Sequence, residues 1–176
     1  HTNAGVILPP MGIKGESIPI EDKLLFERIG EVGTEATGYD VVMDEDEFSF
    51  PGSHRRMGTA TDYFYGQKGL SSFVVELWDV HKESGIEKDW YYPLRELSEE
   101  ENLKLLKWND EKLDGEGFVE WQEFDHPQLG KVEIGGWKRL FMFRNPPPGK
   151  HLEEVCEKNS TFAIRHAAMS PILEME

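Results

Sequence analysis

Several ingredients are scarce in this chain of 176 residues, and each scarcity excludes something. One cysteine, Cys156, rules out a disulfide framework within the chain and leaves the compartment open. Basic residues are short: 19 Lys and Arg stand against 34 Asp and Glu, a formal charge of -15. Such a field repels phosphate backbones and anionic headgroups, so neither nucleic acid nor a membrane surface is expected as a partner. No apolar run reaches the roughly 18 to 20 residues of a membrane span, and the N-terminus lacks a basic-then-apolar leader. Aromatic residues, in contrast, are plentiful. Ten Phe, five Trp and five Tyr are too many for a disordered acidic tail and predict a folded core. The length suits a single domain over residues 1–176. The opening His1-Thr2-Asn3-Ala4-Gly5 runs straight into Val6-Ile7-Leu8 without a methionine, which predicts a piece of a longer polypeptide.

Pro9-Pro10 cannot donate to a sheet ladder and should close a strand over Val6-Ile7-Leu8. Leu25, Ile29, Val32 and Ala36 recur at helical spacing and predict a helix from about Ile20 to Glu35, with Gly33 and Gly38 marking its end. Asp44 to Glu47 reads as a solvated charge run, and Phe50 to Gly58 as an exposed loop carrying His54, Arg55 and Arg56. Thr61-Asp62 should open a short aromatic helix closed by Gly66 or Gly69. Ser72 to Asp79 is β-branched and aromatic almost throughout, the pattern of a strand covered on both faces. Ser98 and Glu101 form a capping box for a helix that stops near Gly115. A short strand is expected at Val132 to Ile134, and a last helix from about His151 to Ala168 after Asn145-Pro146-Pro147-Pro148-Gly149.

Glu76 interrupts the apolar strand, and a carboxylate inside a buried strand is costly unless it is paired or has a task. It lies near the end of the 22-residue segment from Gly58 through Asp62-Tyr63 and Gly69 to Glu76-Leu77-Trp78-Asp79. That segment resembles, without a gap, the catalytic segment of the zinc metallocarboxypeptidases of the carboxypeptidase A-like family. The opening from His1 through Val6-Ile7-Leu8-Pro9-Pro10 to Gly12 is similar to the segment in which that family carries its third zinc ligand. The resemblance implies an α/β fold with helices packed on a mixed sheet, of which this chain would be the C-terminal portion. It implies zinc as cofactor, a peptide or peptide-like substrate cut at its C-terminal residue, His1 as a metal ligand and Glu76 as general base. A carboxylate in a dry pocket suits that task, because zinc lowers the pKa of its water. It also implies that Thr61 lies at the base of the specificity pocket, where a small neutral side chain offers no counter-ion to a basic substrate.

The first zinc pair and the substrate-carboxylate arginines of that family would lie upstream, in a missing N-terminal part of the same catalytic domain. The substrate-capping tyrosine of the family falls at or near His54, and no tyrosine occurs between Gly52 and Thr61. His54 and Arg55 therefore become candidate substrate contacts, Arg55 through a bidentate pair with a carboxylate. A secreted or periplasmic location follows by family analogy alone. A non-catalytic pseudo-peptidase or binding module with the same fold is the alternative.

Two decoys have structural explanations. His151-x-x-Glu154 has metal-pair spacing, but it follows the presumed third ligand, and His166 lies about four turns further along the same helix. Asp114 to Phe124 looks like the back half of a calcium loop, yet Lys112 occupies its first ligand position, where calcium needs an oxygen. A turn leading into a strand is the simpler expectation there.

Overall fold

A computed structural model describes residues 1, 3–10, 18–43, 59–87, 96–138 and 145–170. The expected α/β architecture is present as a small mixed sheet with helices packed on it. Strand β1 (Val6–Leu8) lies in the centre, parallel to β2 (Asp40–Val41) and antiparallel to β3 (Val74–Glu76). Helix α1 (Ile20–Thr37) connects β1 to β2, as a parallel crossover requires. Val6, Ile7 and Val42 are completely buried. Ile7, Ile29, Tyr39 and Phe162 form one core cluster across the sheet and two helices.

The buried face of α1 differs from the face expected from its aliphatic spacing. Phe26, Ile29, Gly30, Gly33 and Thr37 face the core, while Leu25 is 44% exposed. The aromatic ring decides the rotation: Phe26 stands edge-on to Tyr65 and Phe73, with centroids 5.2 and 5.8 Å away. Gly33 does not end the helix. It lies inside α1, where an added Cβ would sit 2.5 Å from Ile7 Cδ1 and 2.9 Å from Phe162 Cζ. The glycine is there for close approach, and Gly38, at φ 71°, supplies the left-handed C-cap.

Helix α2 (Ala60–Lys68) starts one residue before the expected opening, because Thr59 is the N-cap. Its hydroxyl accepts from Asp62 N while Asp62 Oδ2 accepts from Thr59 N, a reciprocal capping box. Strand β3 is shorter and less buried than its apolar run suggested. Trp78 adopts φ 62°, in the left-handed region, so extended geometry cannot continue past Leu77. A short helix α3 (Val80–Glu83) follows, capped by Asp79.

Helix α4 (Glu99–Leu113) carries the expected box between Ser98 and Glu101. Its fully buried Asn109 accepts a 2.7 Å hydrogen bond from Gly117 N and ties the helix end to the next element. That element is an antiparallel ribbon of β4 (Phe118–His126) and β5 (Gly130–Trp137), considerably longer than the short strand expected. At its tip His126 Nδ1 accepts from the amides of Gln128 and Leu129, which closes a three-residue connection before Gly130. Helix α5 (Lys150–Ala168) returns across α1, burying Val155 and Phe162. A second cluster joins Trp78, Val80, Ile86, Leu105, Trp108 and Val155, with Trp137 packed against it. No helix among the described residues is long and apolar enough to cross a membrane.

Candidate functional site

The antiparallel register of β1 and β3 sets Val6 opposite Glu76 and Leu8 opposite Val74. The chain entering β1 then brackets Glu76 with main-chain bonds. His1 N donates to Val75 O at 3.1 Å, and Leu77 N donates to His1 O at 2.8 Å. With its backbone fixed on both sides of Glu76, the His1 ring meets the carboxylate: Nδ1 lies 2.9 Å from Glu76 Oε2. The Glu76 side chain is 15% exposed and that of His1 is 78% exposed, so the carboxylate is sheltered while the imidazole faces outward.

The chemistry of that contact depends on protonation. An ionised carboxylate only accepts, so Nδ1 must carry the proton. A neutral ring then keeps its lone pair on Nε2, the atom suited to a metal or to an acid-base partner. A protonated ring makes the same contact an ion pair.

Immediately after Glu76 the backbone is tightly held. Trp78 N donates to the Tyr39 hydroxyl at 3.1 Å, and the buried indole packs near Trp108 and His151. A left-handed conformation for so large a residue costs on the order of 1 to 3 kcal/mol and persists only where packing over-determines it. Asp79 is buried as well. It accepts from His81 N at 3.0 Å and lies 3.3 Å from His81 Nδ1, a second His–carboxylate pair in the same turn. Gly5, at φ 62°, makes room beside it, since a Cβ there would stand 3.2 Å from Asp79 Cβ. The Asp79–His81 pair was not singled out in the sequence. Its only signal was an Asp in N-cap position before a helix too short to show periodicity.

Thr61, in contrast, is packed into the head of α2. Its hydroxyl lies 2.8 Å from that of Thr59, and its carbonyl accepts from Ser72 Oγ at 3.1 Å. Beside it, Asp62 Oδ1 is buried without a hydrogen-bond partner. His54 and Arg55 lie outside the described residues, as do Arg56 and the acidic run from Asp44 to Glu47.

The remaining histidines have packing roles. His151 sits against Trp78 and Trp108 at 5.5 and 5.7 Å, while Glu154 pairs with Lys150 rather than with His151. His166 stacks on Phe162, and its Nε2 lies 3.0 Å from Ser71 Oγ. Burial pushes its pKa below the ordinary histidine value. The calcium-like segment forms no such loop: Asn109 Oδ1 holds Gly117 N, and Glu123 stands in β4 opposite Glu133.

An imidazole and a carboxylate are both donors that zinc accepts, but a catalytic zinc takes three protein ligands. Among the described residues no group of three His, Cys, Asp or Glu is arranged to hold a metal ion. His1 and Glu76 do not by themselves make such a site. No protein-family model, curated protein or solved structure matches the chain.

Proposed function

We propose that the chain is the C-terminal portion of a carboxypeptidase A-like hydrolase that removes C-terminal residues from peptides. One observation carries this reading. His1 and Glu76, 75 positions apart in sequence, were singled out by independent segments, and their side chains meet at 2.9 Å. Nε2 of His1 would contribute one bond to zinc, and the bond between Nδ1 and Glu76 would fix the ring's tautomer and orientation. Zinc, when bound, would polarise the scissile carbonyl and lower the pKa of the attacking water. Glu76, sheltered at the end of β3, would accept a proton from that water and deliver it to the leaving amine nitrogen. The arginines for the substrate carboxylate would come from the part of the catalytic domain upstream of His1.

The second reading is a non-catalytic binding module. It is favoured by the same contact if the His1 ring is protonated, because the pair is then a satisfied ion pair in need of no metal. Zinc content and C-terminal hydrolysis of the longest natural form of the protein separate the two readings. The hydrolase reading expects one zinc, lost in His1→Ala. It also expects Glu76→Gln to keep the metal while hydrolysis falls by roughly 10²- to 10⁴-fold, the usual contribution of a positioned base. A long form that binds no metal leaves the module.

A further inference from the structure

The ribbon of β4 and β5 carries a surface that the proposed active site does not use. Its root is fixed to the core by Trp137, whose ring stands edge-on to Phe118 with centroids 5.1 Å apart. Beyond the root it carries large exposed apolar side chains: Trp121 is 61% exposed, Leu129 72%, Phe124 44% and Ile134 40%. Register sorts the residues onto two faces. Phe124 lies opposite Val132 and Gln122 opposite Ile134, so Phe124, Val132 and Ile134 share one face. Glu123 lies opposite Glu133 and Asp125 opposite Lys131 on the other.

Two like charges directly opposite each other destabilise a strand pair, so the ribbon's own stability does not account for Glu123 and Glu133. Nor does protection of an edge account for the apolar face, which protected ribbons avoid. Among the described residues β4 pairs only with β5, and no described strand lies on the outer edge of either.

We infer that this ribbon is a docking surface for an extended basic segment of another polypeptide, added as a third strand. The charge argument selects the occupant. A strand laid along the outer edge of β4, which carries Glu123 and Asp125 where β5 carries Glu133 and Lys131, continues the alternation of side chains. Every second residue then lies beside Gln122 and Phe124, with Ile134 and Val132 one strand further on, and the residues between lie beside Glu123 and Asp125, with Glu133 and Lys131 one strand further on. The complementary sequence alternates aliphatic or aromatic residues with lysine or arginine. A second copy of this chain is disfavoured because it brings the same carboxylates and a further charge of -15.

The test uses a fluorescently labelled peptide of alternating valine and lysine, matched to the nine residues of β4, beside one of alternating valine and glutamate. Anisotropy should report binding of the lysine peptide only, weakening in about 1 M salt, where charges are screened beyond about 3 Å. Phe124→Ser with Ile134→Ser should weaken binding by about tenfold or more. Glu123→Lys with Glu133→Lys, which leaves the apolar face intact, should reverse the preference between the two peptides. Glu76→Gln should bind as the parent does, which separates this surface from the active-site reading. The proposal fails if the lysine peptide does not bind, if both peptides bind equally, or if neither double variant changes the affinity. It also fails if sedimentation shows a dimer that Phe124→Ser dissociates, because the face then belongs to a second copy.

Discussion

The two sheets of this protein invert the usual association of strand length with burial. β1 and β3 have three residues each, yet Val6 and Ile7 are completely buried; β4 and β5 have nine and eight residues, and most of their side chains face outward. Length follows from local pairing, and a hairpin with a closed tip can extend as far as its register holds. Burial follows from what covers the faces. α1 and α5 pack on the short sheet through Ile29, Gly33 and Phe162, whereas the ribbon meets the core at its root. A two-stranded ribbon is marginal by itself in water, so its Trp137 anchor matters more than its hydrogen-bond ladder.

The strongest way to break this comparison is to remove equal amounts of side chain from both regions. Ile7→Ala, at the centre of the short sheet, should cost about 2 to 5 kcal/mol in urea unfolding, while Ile134→Ala on the ribbon should stay within about 0.5 kcal/mol. Equal losses would mean that the ribbon is part of the core. Gly33→Ala tests how tightly the core is packed. Overpacking costs about 1 to 3 kcal/mol, and the better helix propensity of Ala returns at most about 1 kcal/mol of it, so a net loss is expected. Ile7→Val removes the Cδ1 atom that the new methyl would strike at 2.5 Å. Combined with Gly33→Ala it should therefore cost less than the sum of the two single changes. Strict additivity would show that the core gives way elsewhere.

The same contrast explains which parts of the fold were legible in the sequence. Helices α4 and α5 were, because their boundaries are written in local chemistry: a capping box at Ser98 and Glu101, a proline-rich connector before Lys150. The extent of α1 was also close, but its buried face was not, because Phe26 is selected by Tyr65 on α2 and by Phe73 just before β3, both distant in sequence. β4 was expected only as a turn leading into a strand between Asp114 and Phe124, and its length and its pairing with β5 were hidden by its composition. Glu120-Trp121-Gln122-Glu123 has no clean alternation, and the register shift between Val119 and Gln122 breaks what period there is. At the candidate site, the two residues singled out for chemistry are in contact. The Asp79–His81 pair and the Tyr39 hydroxyl went unread, since each acts through a partner or a backbone group that spacing does not reveal.

Polar contacts give the smallest and finest version of the comparison. In the ribbon the hydrogen bonds that shape the tip are local, donated to His126 Nδ1 by amides two and three residues away. In the helical half one spans the chain: Tyr65 donates to Asp22 Oδ2 at 2.6 Å, 43 positions away, and joins α2 to α1. Burial first, then the hydrogen bond and the negative charge of Asp22, push the Tyr65 hydroxyl from 10.0 up to about 12. A phenol whose folded pKa is raised favours the folded state while it is protonated. That contribution is fully present below pH 10 and is lost as the pH rises through about 12. The tyrosinate absorbance of the parent minus that of Tyr65→Phe should therefore rise near pH 12. Tyr65→Phe should also flatten the alkaline fall in stability. A difference spectrum that rises near pH 10 would mean that the α1–α2 junction opens before the phenol ionises, and that the helical half is held by its apolar contacts alone.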